Sequence, residues 1–274
     1  MFLSVDVGNT QTTLGLFDDT GTCLRQWRMA TDRTDTADQL HERLYGYFQM
    51  FGLSLSSVEY VAIASVVPIL AQSWQRMVRS GIGLEPLMID ATRDCGITID
   101  MPDPRQVGAD RIANALAARD TYGAPVIVVD FGTATNIDVV DASGAFRGGA
   151  IMPGLLLSAN ALFSRAAKLS SVPLVVPPHA LGDSTETAVQ SGIVIGAATQ
   201  IEGLVERIQL ELAAEGEDVP RATVVGTGGY SETIAQATTI FDALDVDLTI
   251  RGIYQIWRHA VEKHAAREGQ SSDS

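Results

Sequence analysis

Apolar positions in this chain fall in short runs separated by stretches of helical period. Phe2–Val5 leads into Asp6, Val7, Gly8, Asn9 and Thr10, and a second run resumes over Thr12–Leu16. The stretch Val126–Asp138 repeats the phrase: Val126–Val129, then Asp130, Gly132, Thr133 and Thr135, then an apolar run from Ile137. Each copy reads as a buried strand, a tight polar turn and a strand that pairs back. Two copies of strand–Asp-x-Gly-x-Thr–strand predict two like halves facing one nucleotide.

Between and after these copies the periods alternate. Cys23–Met29 predicts a third strand of the first meander. Thr36–Phe51 is helical, with Leu40, Leu44, Phe48 and Phe51 on one face. Tyr60–Val67 is a buried strand stopped by Pro68, which opens a helix over Pro68–Ser80. Leu87–Ile89 is a short strand and Ile112–Arg119 a helix. Leu155–Lys168 predicts a long helix, Pro173–Pro178 an extended spacer, and Thr187–Ile208 a Gly- and Ala-rich helix. Thr223–Val225 is the last strand, Ser231–Gln236 starts another helix, and Gly252–His264 is a terminal amphipathic helix. Strands alternating with helices indicate an α/β fold. The expected division is an N-terminal lobe over 1–122, a C-terminal lobe over 123–264 and a flexible polar tail over 265–274.

Composition narrows the possible partners. Of 274 residues 46% are apolar, so there is ample core, and the net charge of −14 argues against nucleic acid. An apolar run of about 18 residues is lacking, so no membrane span is expected. The first strand begins at once, leaving no room for a signal peptide, and a cytoplasmic location is expected. Cys23 and Cys95 lack metal-type spacing and are expected to be reduced thiols. His259 and His264 do not share a helix face, which disfavours zinc. The lysines are Lys168 and Lys263, and neither sits in a P-loop context. Bound phosphates must therefore be held by backbone amides, hydroxyls and a metal ion.

An acid at a strand end beside a Gly-Thr turn does little for packing but suits a cation and phosphate oxygens. Asp6, Asn9, Thr10, Gln11, Thr12 and Thr13 supply the polar groups of the first copy; taken alone, that copy also reads as a hairpin with a polar tip. Gly108, Ala109, Asp110 and Arg111 form a second candidate. Asp110 near a helix start is favourable for ordinary electrostatic reasons. Gly108 permits close approach, however, and Arg111 can hold a carboxylate. Gly226-Thr227-Gly228-Gly229 after the last strand allows backbone to pass under a ring or a phosphate, or simply turns the chain.

With these residues in view, the sequence resembles type III pantothenate kinases, within the acetate and sugar kinase, actin-like superfamily. The matching pieces are DVGNT at 6–10, ASVVP at 64–68, VGADR at 107–111, DFGTAT at 130–135 and GGAIMPG at 148–154. Thr185 with Gln190-Ser191-Gly192, and TGG at 227–229, complete the order. The resemblance implies two ribonuclease H-like lobes with ATP in the cleft, and transfer of the γ-phosphoryl group to the primary hydroxyl of pantothenate on the route to coenzyme A. It assigns Asp6–Thr13 to the phosphates with Mg²⁺, Thr133 to ATP, and Asp130 to a monovalent cation, K⁺ or NH₄⁺. It gives Gly108, Ala109, Asp110, Arg111 and Thr185 to pantothenate, with Asp110 accepting the hydroxyl proton, and it implies a homodimer. Met101 stands where the family commonly carries Tyr, so a phenolic contact to substrate is lost there. Alternatives of the same fold are a phosphohydrolase and a nucleotide-binding regulatory or accessory protein. Gly108–Arg111 favours an organic acceptor over water, and Asp110 with Arg111 argues for retained catalysis.

Overall fold

The computed structural model describes residues 1–166, 169–216 and 219–272, with side chains as far as residue 265. The predicted Lys168 end of the long helix lies outside the described residues. The chain divides into two units: Met1–Ala117 with Asp247–Ser274, and Ala118–Val246.

The first unit is built on five strands: β1 (Phe2–Val7), β2 (Gln11–Phe17), β3 (Cys23–Ala30), β4 (Tyr60–Ser65) and β5 (Leu87–Met88). Their order is β3-β2-β1-β4-β5. The meander β1–β3 is antiparallel, and β4 and β5 add in parallel. Parallel neighbours need crossovers, supplied by α1 (Ala37–Met50) and α2 (Pro68–Met77). Thr36 caps α1 in a reciprocal box with Gln39, and Pro68 opens α2 where its missing N–H costs nothing.

Leu3, Val5 and Val7 face the core, where α1 contributes Leu40, Leu44 and Phe48 and α2 contributes Leu70, Trp74 and Met77. The opposite face of the sheet carries Phe2, Ser4 and Gly15. It is covered by the terminal helix, α8 (Leu248–Ser272). Phe2 stacks on Trp257 at 4.6 Å and meets Tyr254 edge-on at 5.3 Å, and Phe17 stacks on Tyr254 at 4.9 Å. At Gly252, α8 comes so close to α3 (Ala109–Tyr122) that a Cβ would lie 2.0 Å from the Ala113 carbonyl oxygen.

This changes the domain boundary. The terminal helix was expected in the C-terminal lobe, but it belongs to the first unit because the uncovered aromatic face of the first sheet needs it. Helix α8 also continues through Ser272, across most of the predicted polar tail.

The second unit repeats the plan with β6 (Val126–Phe131), β7 (Ala134–Val140), β8 (Phe146–Pro153), β9 (Thr223–Gly228) and β10 (Ala243–Leu244). Its order, β10-β9-β6-β7-β8, has the connectivity of the first sheet read strand for strand. Its core joins Ile127, Val129 and Phe131 to α4 (Leu155–Arg165) and α6 (Gly196–Ala213) through Leu155, Ala198, Ile201 and Val205. A short helix, α5 (Thr185–Gln190), leads through a π turn at Ser191–Ile195 into α6; α7 (Ser231–Ala235) follows β9.

The combined stretch Thr185–Ala213 is, by length and composition, apolar enough to cross a membrane, with mean hydropathy 1.2. That differs from the expectation drawn from run length alone. Its buried residues Val194, Ala198, Ile201 and Val205 pack on the second sheet, which is how a core helix earns such a composition.

Candidate active site

Each unit brings its own motifs to the carboxyl ends of its central strands, the edge where ligands bind in open α/β sheets. In the first unit, Asp6 ends β1 opposite Thr13 of β2 and Ala64 of β4. The turn that follows is tight. The Gly8 N–H donates to the Gln11 carbonyl at 3.1 Å, and a Cβ on Gly8 would stand 2.8 Å from that oxygen. Asn9, Thr10 and Gln11 are exposed at its tip, as a loop meant to receive phosphate requires. Val7, Gly8, Thr12 and Thr13 flank the tip, Thr12 being buried with its hydroxyl 2.9 Å from that of Thr31.

Two features of this loop carry no sequence signal that would have singled them out. The Arg33 guanidinium donates to Asn9 Oδ1 at 3.0 Å. Arg28 of β3 stands directly opposite Thr13, extending the cross-strand row Asp6–Thr13.

The same edge gathers ASVVP and VGADR. The Val66 N–H donates to the Val7 carbonyl at 3.1 Å, and a Cβ on Gly108 would lie 3.4 Å from Val66 Cγ1. A cavity of about 340 Å³ opens here, walled by Ser65, Val66, Asp90, Thr92, Arg105 and Gly108 among others. That volume is at the lower end of the range for small-molecule sites. Sequence reading missed the Asp90–Thr92 wall, because nothing in a short strand's exit announces which loop it faces.

Asp110 is in the first turn of α3, directly beneath Gly108: a Cβ there would be 2.5 Å from Asp110 Oδ1. The Arg111 N–H donates to that oxygen at 2.8 Å. Burial pushes the Asp110 carboxyl above the ordinary carboxylate value, against the pull of the Arg111 N–H and the Arg111 charge. Gly108 and Ala109 line the cavity. Met101 is half-buried and lies outside that wall, and Thr185 is an exposed residue at the start of α5 in the second unit.

In the second unit, Asp130 near the end of β6 pairs across to Asn136 of β7 and Thr227 of β9. The Gly132-Thr133 turn closes through Gly132 N–H to the Ala134 carbonyl (3.0 Å), and the Thr133 carbonyl accepts from Gly154 N–H at 3.1 Å. A Cβ on Gly154 would lie 2.4 Å from that Thr133 oxygen, so only glycine fits where GGAIMPG turns into α4. Gly228, at φ +86°, brings backbone against Asp130: a Cβ would lie 2.5 Å from Asp130 Oδ1. Thus DFGTAT meets GGAIMPG at its Gly132-Thr133 backbone and TGG at its Asp130 carboxylate. A Gly-containing turn at the end of the central strand, repeated in two units of one connectivity, is the architecture of the actin-like ATPase and sugar kinase fold.

Solved structures agree on the fold. A protein from Campylobacter jejuni, described as a Baf family transcriptional activator, matches with TM-score 0.62 at 17% identity, over 95% of this chain and 99% of its own. One described as a 2-dehydro-3-deoxygalactonokinase, from Sinorhizobium meliloti, matches with TM-score 0.53 at 16% identity, over 94% and 96%. A type III pantothenate kinase from Thermomicrobium roseum is 43% identical over 254 residues, covering 92% of this chain and 95% of the relative. The chain belongs to the type III pantothenate kinase family, whose model matches residues 2–207.

Proposed function

We infer that this chain transfers the γ-phosphoryl group of ATP to the primary hydroxyl of pantothenate, giving 4′-phosphopantothenate for coenzyme A biosynthesis. The observation that carries the reading is the Asp110 carboxylate held under Gly108 beside a cavity of about 340 Å³, in a chain of this family. Phosphoryl transfer has a loose transition state, so positioning and charge neutralisation outweigh strong bases. Asp110 orients the acceptor hydroxyl and takes its proton late, as the oxygen bonds to Pγ and the Pβ–O–Pγ bridge breaks toward ADP. Arg111 takes the pantothenate carboxylate, with Gly108, Ala109, Met101 and Thr185 completing the acceptor's surroundings. Asp6 through Thr13, together with Thr133, takes the nucleotide phosphates.

Among the described residues there is no group of three metal-ligating side chains. Asp6, opposite Thr13 beside the first turn, fits a Mg²⁺ that arrives on the nucleotide, since this ion commonly takes one or two carboxylates plus phosphate oxygens. Asp130, with backbone of Gly228 against it, fits a monovalent cation, K⁺ or NH₄⁺. Bound there, such ions supply positive charge against the triphosphate.

A homodimer goes with this reading. It is supported by exposed Leu156, Leu157 and Leu162 on α4 and by Val175 and Leu181 before α5, an apolar surface that a second copy would cover. Both substrates are water-soluble anions, and a cytoplasmic location accords with that. The test is ADP release from ATP with and without pantothenate: release that depends on pantothenate is expected, and release indifferent to it would favour a phosphohydrolase.

A further inference from the structure

The first phosphate loop carries no lysine, and its own side chains are neutral except Asp6. An acidic chain that must hold a triphosphate needs cations close to that loop, and two are provided by β3 and its exit. Arg33 is exposed and rests on the amide oxygen of Asn9 at the loop tip, 3.0 Å away. Its position is set locally. The Thr31 N–H donates to the Thr10 carbonyl at 2.9 Å, docking the β3 exit on the loop, and Asp32 then turns the chain by accepting from the Thr34 N–H at 2.9 Å. Arg28 lies one step further in, opposite Thr13 in the row that begins at Asp6.

Many arginines of the first unit are already matched with acids. Arg43 is clamped bidentate on buried Asp35, Arg79 on Glu85 and Arg105 on Asp103, and Arg93 pairs with Asp90. Arg33 instead is held by a neutral amide, a hold weak enough to be exchanged for phosphate oxygens.

We propose that Arg33, backed by Arg28, is the cationic arm of the first phosphate loop and moves from Asn9 onto the β- and γ-phosphate oxygens of ATP. This rests on the kinase reading of Asp6–Thr13. In the transfer step the acceptor oxygen forms its bond to Pγ as the Pγ–O bond to the β-phosphate breaks. The electron pair leaves on the ADP β-oxygen, and the hydroxyl proton goes to Asp110. Negative charge thus grows on the leaving oxygen, where a planar guanidinium forks across two oxygens and stabilises it. The role fits arginine better than lysine, because the side chain must serve Asn9 in one state and a phosphate pair in the other.

The test is nucleotide binding by calorimetry with ATP, ADP and AMP, beside steady-state kinetics, for the full chain and three variants. Arg33→Ala should weaken ATP and ADP roughly tenfold to a hundredfold, the range of one or two charge-assisted bonds. AMP, which lacks the distal phosphates, should change less than about twofold. Turnover should fall while the KM for pantothenate holds, and Arg33→Lys should recover part of the ATP affinity. Arg28→Ala should show the same pattern, weaker. Equal weakening of AMP would mean that Arg33 only braces the loop, and would overturn the proposal. Asp6→Asn separates the levels. If it abolishes ATP binding while Arg33→Ala does not alter it, the cationic arm alone is wrong. If neither variant alters ATP binding, the phosphate-loop reading falls, and this proposal with it.

Discussion

Burial holds the Asp110 carboxyl above its usual range although the Arg111 N–H and charge both favour ionisation. For an acid raised on folding, the contribution to stability is fully present below the unfolded value of 3.8 and is lost as pH rises through the folded value. Above the ordinary carboxylate value, burial of this carboxyl is therefore a cost to the fold. Asp110→Asn keeps an acceptor for the Arg111 N–H while removing the buried charge. It should raise the thermal midpoint at pH 7, a gain that fades as pH falls toward the ordinary carboxylate value. Turnover should drop by roughly 10²- to 10⁴-fold, the contribution of a positioned base. In the wild type, kcat/KM should rise with pH through a value above that of a free carboxylate, and the variant should lose that limb. Turnover within a few-fold of wild type would return Asp110 to the role of an acid at a helix start. Asp130 poses the parallel question in the second unit. Its Oδ1 lies against Gly228 backbone, which suits a cation coordinated by carboxylate and carbonyl oxygens. Activity is expected to depend on K⁺ or NH₄⁺, and Asp130→Ala should remove the dependence with most of the activity; full wild-type rates in buffers free of both ions would end that idea.

At the level of elements, α8 carries the largest structural consequence. Ile250, Ile253, Tyr254 and Ile256 are all buried in the first unit. Each such side chain contributes about 1.5–3 kcal/mol on burial, so the four together contribute roughly 6–12 kcal/mol as an upper estimate. That rivals the whole stability of an ordinary domain, about 5–15 kcal/mol. A chain ended after Val246 is expected to lose cooperative urea unfolding and to be cut rapidly by protease in residues 1–117. A cooperative transition of unchanged midpoint would show that the sheet does not need its cover. Sequence reading saw α8 as an element and missed its partner, because an amphipathic period fixes which face is apolar and not which sheet it covers. The motif-bearing turns were legible for the opposite reason: Asp6, Gly8, Asp130 and Gly132 stand at the ends of apolar runs, where local chemistry alone dictates the turn. Short β10 lacks such a run and went unseen. Arg28 and the Asp90–Thr92 wall were illegible too, since cross-strand register and the facing of a loop arise only when separate segments pair. Polar residues after Ala265 predicted an end to the helix, yet a propagating helix needs little from each added residue, and α8 runs on to Ser272.

For the molecule as a whole, the two sheets share one connectivity, and each unit carries its own motif-bearing turn after its central strand; the proposed acceptor site raises one question at this scale. Thr185 belongs to the second unit, at the exposed start of α5, whereas Gly108–Arg111 belongs to the first. The segment before α5 carries exposed Val175 and Leu181, and Leu181 is 89% exposed, an unusual place for leucine unless something covers it. In a twofold dimer, Thr185 of each copy would serve the site of the other, and the two sites would be equal. Mixing Asp110→Asn with a Thr185 variant that no longer binds pantothenate tests this directly. Random exchange makes half the dimers mixed, and each mixed dimer regains one of its two sites, so activity should recover to roughly a quarter of wild type. Each parent alone should stay inactive, and the mass in solution should be that of two chains. No recovery despite demonstrated subunit exchange would confine Thr185 to its own chain's chemistry, and a monomeric mass for fully active enzyme would refute the shared site outright.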